Sequence, residues 1–175
     1  MENRKLNALK AALFSSPSAT AFVILDGATV PDLPASLAAF RPEYVCLYRG
    51  VHEPDLAEVA PYLAILERDD HFTEWVLCNG WGRCWGIFGS SEAALPELRK
   101  HFRRFVKVSN EGKFLYFRFY DPVVLRCYLR NCNLEESRSF FGPVICFLME
   151  DIESGDVRRL RLADHVLRED STSIE

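Results

Sequence analysis

The side chains that most often carry catalysis occur in this chain without the spacing that catalysis needs. The four histidines, His52, His71, His101 and His165, are far apart in the sequence and form no H-x-x-x-H pair. The sequence also lacks a G-x-S-x-G segment, which would expose a serine nucleophile on a sharp strand-to-helix turn. The sequence therefore predicts a protein that is not an enzyme.

The aspartates are better explained by local structure than by acid–base chemistry. Asp70 and Asp121 each precede a helical pattern, where a carboxylate accepts backbone N–H bonds and favours the positive end of the helix. Asp26 follows an apolar run, and α/β sheets often bind ligands at strand ends, although turn formation is our preferred reading. One alternative stays open: a small-molecule-binding or hydrolytic α/β enzyme with a site at the strand ends, built from Asp26, Arg49, Arg83 and Asp121.

Neither a cofactor nor a metal is indicated. The glycine-rich segment Gly80–Gly86 resembles a phosphate-binding loop, but its third glycine is one place too late and it follows a helix instead of a strand. The six cysteines contain no C-x-x-C pair, and most lie in apolar segments such as Val45–Leu47. We expect free, partly buried thiols.

Charge and hydrophobicity narrow the class of partner. The chain of 175 residues carries 21 basic and 25 acidic side chains, so a net charge of −4 provides no global attraction for nucleic acid or anionic lipid. No apolar run reaches the length of about 18 to 20 residues that a membrane span needs, and the first residues do not fit a signal peptide. We expect a cytoplasmic protein with neither a membrane nor a nucleic-acid partner.

The predicted elements alternate between helices and strands. Apolar periodicity predicts helices over residues 2–14, 32–40, 70–79, 92–105, 122–129 and 135–141, and a short helix before a strand within 54–66. Short apolar runs predict buried strands at 21–25 and 44–48, which form a βαβ unit with the helix between them, and further strands at 83–89, 144–149 and 157–162. The order indicates one α/β domain with a mixed β-sheet flanked by helices. We divide it into an N-terminal helix and lead-in (1–19), an α/β domain (20–150), and a C-terminal strand and polar tail (151–175), of which 168–175 frays.

Two segments look suited to a partner. The helix over 92–105 has one face that is basic and is either a solvated surface or a contact for an acidic partner; its cations are Arg99, Lys100, Arg103, Arg104 and Lys107. The hairpin predicted over 106–120 ends in the run F-L-Y-F-R-F-Y (114–120), which is large and apolar on both faces of a strand. One face fills the core, and the second is covered by helices or offered to a partner. Nucleic-acid binding through the basic face is a third, weaker possibility.

Six segments taken together, in this order and spacing, resemble a known family. They are F-V-I-L-D-G (22–27), C-L-Y-R-G (46–50), A-P-Y-L (60–63), G-W-G-R-C-W-G-I-F (80–88), L-R-K-H-F-R-R-F (98–105) and F-R-F-Y-D-P (117–122). The F-F-G-P segment ending at Pro143 also fits. The resemblance is to the type VI secretion effector chaperone/adaptor domain, long catalogued only as a domain of unknown function, and it extends from about Thr20 to Glu150.

The resemblance implies a non-enzymatic, cytoplasmic bacterial protein that binds a cognate secreted effector. It would promote loading of that effector onto the spike protein at the tip of the secretion tube. Longer relatives carry additional C-terminal sequence, which implies that an accessory partner-binding lobe is reduced or missing here.

Tyr, Trp and Arg are enriched at interface hot spots, and our candidate partner-binding residues are Arg49, Trp81, Arg83, Trp85, Arg99, Arg103, Arg118, Tyr120 and Asp121.

Overall fold

The computed structural model describes residues 3–50, 54–110 and 113–174. Its helices are α1 (Asn3–Leu13), α2 (Leu33–Phe40), α3 (Pro54–Glu58), α4 (His71–Gly80), α5 (Leu95–Val106), α6 (Pro122–Asn131) and α7 (Leu134–Phe141). Its strands are β1 (Thr20–Asp26), β2 (Tyr44–Cys46), β3 (Pro61–Leu66), β4 (Gly86–Ser91), β5 (Lys107–Asn110), β6 (Lys113–Tyr116), β7 (Val144–Glu150), β8 (Val157–Ala163) and β9 (Val166–Thr172). His52 and residues 111–112 of the predicted hairpin turn lie outside the described residues. No helix within the described ranges is both long and apolar enough to cross a membrane.

Seven strands form one sheet in the order β2-β3-β1-β4-β7-β8-β9, and β5 and β6 form a separate hairpin. The prediction of a single α/β domain with helices flanking a sheet is confirmed. Every strand pair of the described residues is antiparallel, so the parallel pair expected from the βαβ unit does not form. β3 lies between β1 and β2 because its six-residue apolar run is buried over almost its whole length, whereas the three-residue β2 is partly exposed and takes the edge.

The sheet is covered on both faces because the apolar strands alternate their side chains. Val23 and Leu25 of β1 point to a core that includes α1, α2 and α4. Phe22 and Ile24 point to the opposite core, which includes α5, α6 and α7. The predicted burial of the 21–25 run on both faces is confirmed, and it requires this helix–sheet–helix arrangement.

The second core is dominated by phenylalanine rings. Phe102 of α5 lies 5.5 Å from Phe22 and 5.7 Å from Phe119, measured between ring centroids. Phe140 of α7 lies 5.6 Å from Phe147 of β7. Such ring pairs add about 0.5–1.5 kcal/mol each beyond the burial of their area. These ring pairs fix α5 and α7 against the sheet. They therefore also fix the position of the exposed basic face of α5.

The aromatic run at 114–120 does not form one continuous strand. β6 ends at Tyr116, and the amide of Phe117 still donates across the hairpin to the carbonyl of Val106 at 3.0 Å. The chain then turns, since the amide of Asp121 donates to the carbonyl of Arg118 at 3.0 Å. Phe119 and Tyr120 are consecutive and both buried, which an extended strand with a single covered face would not allow. The prediction that this run alternates between two faces up to Tyr120 is therefore wrong.

The polar C-terminal tail also differs from expectation. Residues 166–172 form β9, which pairs with β8 from Val166 opposite Ala163 to Thr172 opposite Val157. The predicted fraying at residues 168–172 is wrong, because Glu169 of this strand accepts hydrogen bonds from Arg126 and Arg130 of α6. This strand is stabilised by ion pairs, which a search for apolar periodicity does not detect.

Candidate functional site

An open cleft of about 400 Å³ lies beside the end of β2, between that strand, α5 and the β5–β6 hairpin. We call it the basic cleft. Its apolar and aromatic lining residues are Leu47, Tyr48, Leu56, Val106 and Tyr116, and its cationic lining residues are Arg49, Arg103, Arg104 and Lys107. Among the residues that the structure describes, no aspartate or glutamate lines it.

Arg103 is held at the inner wall of the basic cleft. Its Nη2 donates to the carbonyl oxygen of Cys46 at 2.9 Å and to that of Tyr48 at 2.8 Å. Its Nε is buried and has no hydrogen-bond partner within the described ranges. Burial, followed by repulsion from Arg99, lowers the pKa of the Arg103 guanidinium. The cation is thus fixed in orientation and incompletely satisfied.

Positive charge accumulates around Arg103. Arg99 lies one helical turn earlier on α5, and Arg49 also repels the Arg103 guanidinium. In the described part of the chain, Arg49, Arg99, Arg103 and Arg104 have no carboxylate within ion-pair distance. The basic cleft therefore favours a negatively charged ligand.

The β5–β6 hairpin forms the outer wall. Lys107 pairs with Tyr116 in the ladder, and both line the cleft, where the ring of Tyr116 lies 4.9 Å from that of Tyr48. The next pair, Val108 opposite Leu115, alternates to the other side of the ribbon and is exposed, Leu115 to 50%. The hairpin thus presents one face to the cleft and an uncovered apolar face outward.

Beneath the cleft lies a buried polar group that holds the sheet end together. The Asp26 carboxylate is 2% exposed and accepts hydrogen bonds from the amide of Ala28 at 3.1 Å, the hydroxyl of Thr29 at 3.1 Å and the guanidinium of Arg118. The bond with Asp26 raises the pKa of Arg118. Because three donors already occupy Asp26, its carboxylate serves the turn and the attachment of the segment after β6.

Two tyrosines extend this group toward the cleft. The hydroxyl groups of Tyr48 and Tyr120 interact, and burial raises the pKa of both. Tyr48 lines the cleft, whereas Tyr120 is buried in the second core. The wall of the cleft is therefore linked to the core through uncharged hydroxyl groups.

The structure brings some of the predicted partner-binding residues together and separates others. Arg49 and Arg103 lie in the basic cleft, with Arg99 next to Arg103. Arg118 and Tyr120 lie beneath it, and Tyr120, like Trp85, is in the interior and presents no surface to a partner. Of the remaining three, Trp81 bonds to Gly155, Asp121 caps α6 and Arg83 is exposed.

Asp121 caps α6, as predicted: its Oδ1 accepts from the amides of Val123 at 2.9 Å and Val124 at 3.3 Å. Asp70 caps α4 in the same manner by accepting from the amide of Phe72 at 3.0 Å. Of the four strand-end residues that we considered for an enzyme, Asp26 and Asp121 thus have structural partners. Arg49 and Arg83 are exposed.

The glycine-rich segment binds a carboxylate from its own chain. Glu150, at the end of β7, accepts hydrogen bonds from the amides of Gly82 and Cys84, and both of these residues have a positive φ. Burial, together with the bond to Glu150, raises the pKa of the Cys84 thiol to about 12. Trp81 Nε1 donates to the carbonyl of Gly155 at 3.0 Å. The loop is an anion-binding turn whose anion is Glu150.

A second arginine-rich region lies at the C-terminal hairpin. We call it the ionic cluster, and it consists of Arg126, Arg130, Asp151, Arg158 and Glu169. Glu169 accepts from Arg126 Nε at 3.0 Å and from Arg130 Nη2 at 2.8 Å, while Asp151, 3% exposed, accepts from Arg158. The hydrogen bond from Arg158 lowers the pKa of Asp151. Every arginine of this cluster has a carboxylate partner.

Sequence reasoning found the cations of the basic cleft but missed its apolar half. Tyr48 was assigned to a buried strand and Leu56 to a short helix, and nothing in their local pattern shows that they meet Tyr116. The sequence analysis does not single out Glu150, although an apolar strand that ends in a glutamate is a detectable signal for a buried anchor. None of the six cysteines is in a disulfide; four are buried or partly buried, but Cys78 and Cys127 are exposed, so the expectation of partial burial is wrong for these two. No cluster of three or more potential metal-binding side chains occurs among the described residues.

Comparison with known proteins identifies one relationship. Residues 21–139, more than half of the chain, match the family described as Domain of unknown function (DUF4123). The match covers β1 to α7 and therefore includes the residues described for the basic cleft. No curated protein and no solved structure gives a significant match.

Proposed function

The chain belongs to the DUF4123 family, and from that premise we propose that it is a cytoplasmic adaptor/chaperone of a type VI secretion system. It binds a cognate secreted effector and promotes its loading onto the spike protein. The motifs that resemble the effector chaperone/adaptor domain lie within residues 22–143, almost the same span as the family match.

The observation that carries the proposal is the uncovered surface formed by the basic cleft and the outer face of the hairpin. Leu115 and Tyr116 are exposed to 50% and 54%, and Val108 to 38%. They lie next to Arg103 and Arg104, which have no carboxylate within ion-pair distance among the described residues. Exposed apolar patches beside cations are typical of protein–protein contacts. A protein that binds a partner needs such an exposed apolar surface, whereas the stability of its own fold does not require one.

The physical role follows from that surface. An effector segment that is apolar enough to aggregate is covered while it contacts the hairpin face, so the soluble fraction of the effector rises. Holding effector and spike at the same time makes their encounter effectively intramolecular, which raises the local concentration of one beside the other. No chemical step is needed, because both effects come from binding alone.

Co-expression tests this function. The effector encoded next to this protein would be expressed with the protein, without it, and with the variant Leu115→Asp, which places a charge on the outer hairpin face. We expect the effector to be soluble and to co-purify with the unchanged protein, and to lose both properties with Leu115→Asp. Val166→Asp is the matched control, since Val166 is also 50% exposed but lies on β9.

Unchanged effector solubility with no co-purification would contradict the proposal. So would equal loss with Leu115→Asp and Val166→Asp, because the effect would then be one of general stability. Turnover of a small molecule by the purified protein, abolished by Asp26→Asn in a folded variant, would support the enzyme alternative instead. Steeply salt-dependent binding of DNA or RNA would support the nucleic-acid alternative.

A further inference from the structure

We infer that the basic cleft is the receptor for an acidic peptide segment in which carboxylates alternate with large apolar side chains. This inference rests on the proposed function and assigns to the effector the chemistry of the segment that is held. A carboxylate of the segment lies against Arg103, Arg49 and Arg99, and an apolar side chain packs on Leu56 and Tyr116.

The negative charge of the ligand is inferred from the positive charge of the cleft. The whole chain has a net charge of −4, yet all four charged lining residues described for the cleft are cations. Arg49 and Arg99 both repel Arg103, and no carboxylate of the described residues offsets that repulsion. An incoming carboxylate removes this unfavourable term, whereas a cationic or neutral ligand does not.

The geometry of Arg103 favours a carboxylate. Two backbone carbonyls at 2.9 and 2.8 Å hold Nη2 in place, which fixes the plane of the guanidinium before any ligand arrives. The buried Nε has no partner among the described residues. An orientation already set by the fold reduces the entropy lost on binding, and guanidinium–carboxylate pairs are the stronger, charge-assisted class of hydrogen bond.

The apolar half distinguishes a peptide from a bare anion or a nucleic acid. Leu56 and Tyr116 are exposed at the mouth of the cleft, and the ring of Tyr48 lies 4.9 Å from that of Tyr116, tilted by 40°. A simple anion leaves this apolar surface uncovered, and the negative charge of the rest of the molecule repels a polyanionic backbone. A peptide that carries both an acidic and an apolar side chain satisfies both halves of the site.

The test uses defined probes and the full chain. Three fluorescein-labelled 12-residue peptides, blocked at both ends, alternate Leu or Phe with Glu, with Gln, or with Lys; a 12-nucleotide oligothymidylate is the fourth probe. Binding is followed by fluorescence anisotropy at low and high NaCl. We expect the Glu peptide to bind at least tenfold more tightly than the other three, with an affinity that falls as salt rises.

Two charge reversals locate the site. Arg49→Glu and Arg99→Glu change exposed side chains without ion pairs in the described residues, and each is expected to weaken the Glu peptide at least tenfold. Arg4→Glu is the matched control, because Arg4 is exposed on α1 across the sheet from the cleft. The affinity of this variant for the Glu peptide is expected to stay within twofold of that of the unchanged protein. Circular dichroism and thermal unfolding establish that all three variants are folded.

Any of four outcomes of the peptide measurements overturns the inference. One is absence of binding by the Glu peptide, and a second is equal binding of any of the other three probes. A third is unchanged affinity for the Glu peptide in Arg49→Glu and Arg99→Glu, and a fourth is equal weakening by Arg4→Glu. The proposed function fails separately. If the effector co-purifies with Arg49→Glu and Arg99→Glu as well as with the unchanged protein, only the cleft assignment is wrong. If it never co-purifies, the adaptor proposal fails whatever the peptides do.

Discussion

The basic cleft and the ionic cluster are built from the same side chain, arginine, but they use it in opposite ways. In the ionic cluster, Arg126 and Arg130 share Glu169, and Arg158 is bonded to Asp151. In the basic cleft, Arg103 bonds to backbone carbonyls, and its charged neighbours among the described residues are other cations. Both regions lie on the side of the sheet covered by α5 and α6.

The number of arginines on an element therefore says little about their role until their partners are known. The arginines of α6 face carboxylates of the C-terminal hairpin and hold β9 in the sheet. Those of α5 face a cleft without acids in the described part of the chain, and their charge remains available to a ligand. The comparison predicts stability effects in one region and binding effects in the other.

The largest expected effect on stability comes from the ionic cluster. Asp151→Asn keeps an acceptor for the amides of Glu153 and Ser154 but removes the charge that is paired with Arg158 and lies 3.6 Å from Arg126. We expect the free energy of unfolding to fall by about 2–3 kcal/mol, because the guanidinium of Arg158, 28% exposed, loses its charge-assisted bond to a buried carboxylate. Urea denaturation measures this free energy. A loss below about 0.5 kcal/mol would mean that the ionic cluster does not stabilise the fold.

A matched control separates burial from charge. Asp170→Asn breaks the pair of Arg161 with Asp170, 3.2 Å apart, in which both side chains are about half exposed. Exposed pairs contribute about 0–1 kcal/mol, so this variant is expected to change stability by no more than that.

The ionic cluster also predicts a pH dependence. The pKa of Asp151 is lowered in the folded protein by its bond with Arg158, whereas an unfolded aspartate titrates near about 3.9. Its contribution is complete above that value and is lost as the pH falls through the lower folded pKa. Between pH 5 and pH 2 the unchanged protein should therefore lose more stability than Asp151→Asn. Parallel curves for the two proteins would contradict the pairing.

A smaller effect is expected from the anchored cation of the basic cleft. Arg103→Met removes two charge-assisted bonds, to Cys46 and Tyr48, but it also removes the repulsion from Arg99. The net loss is expected to be about 1–2 kcal/mol. Arg103→Lys retains the charge without the planar fork and should lose nearly as much stability. Urea denaturation of both variants distinguishes orientation from charge.

The smallest effect has the opposite sign. Arg99→Glu places an acid four residues before Arg103 on an exposed helix face, an arrangement that stabilises helices by about 0.2–0.5 kcal/mol. We expect thermal unfolding at a slightly higher temperature, together with the loss of acidic-peptide binding. A variant that is more stable and yet binds the acidic peptide less tightly would show that Arg99 serves binding and not stability. Lower stability would place Arg99 with the structural arginines.

Much of the fold was predictable because its elements carry local signals. The amphipathic stripe that ends at Phe105 predicts α5, which ends one residue later, and the aspartates before α4 and α6 mark both helix starts. The strand at 166–172 was missed because its sequence, V-L-R-E-D-S-T, has a low apolar content. Its stability comes from β8 and from the arginines of α6, neither of which is adjacent in the sequence.

The candidate site was predictable only in its cations. Arg49, Arg99 and Arg103 stood out by type and spacing, but Trp85 and Tyr120 stood out equally and are interior. Tyr120 turns inward because the chain leaves the hairpin after Phe117 and turns at Arg118–Asp121. A residue type enriched at interfaces is also suited to a core, and only the path of the backbone separates the two cases.

The α/β class, most helix boundaries and the positive face of α5 can be predicted from the residues alone, because they depend on periodicity and on caps within a few residues. Tertiary structure alone decided that β3 enters between β1 and β2, that Glu150 occupies the glycine-rich loop, and that the cations of α5 find no acid among the described residues while those of α6 do. These features depend on groups that are distant in the chain, and electrostatic and hydrogen-bond energies depend on distance in space.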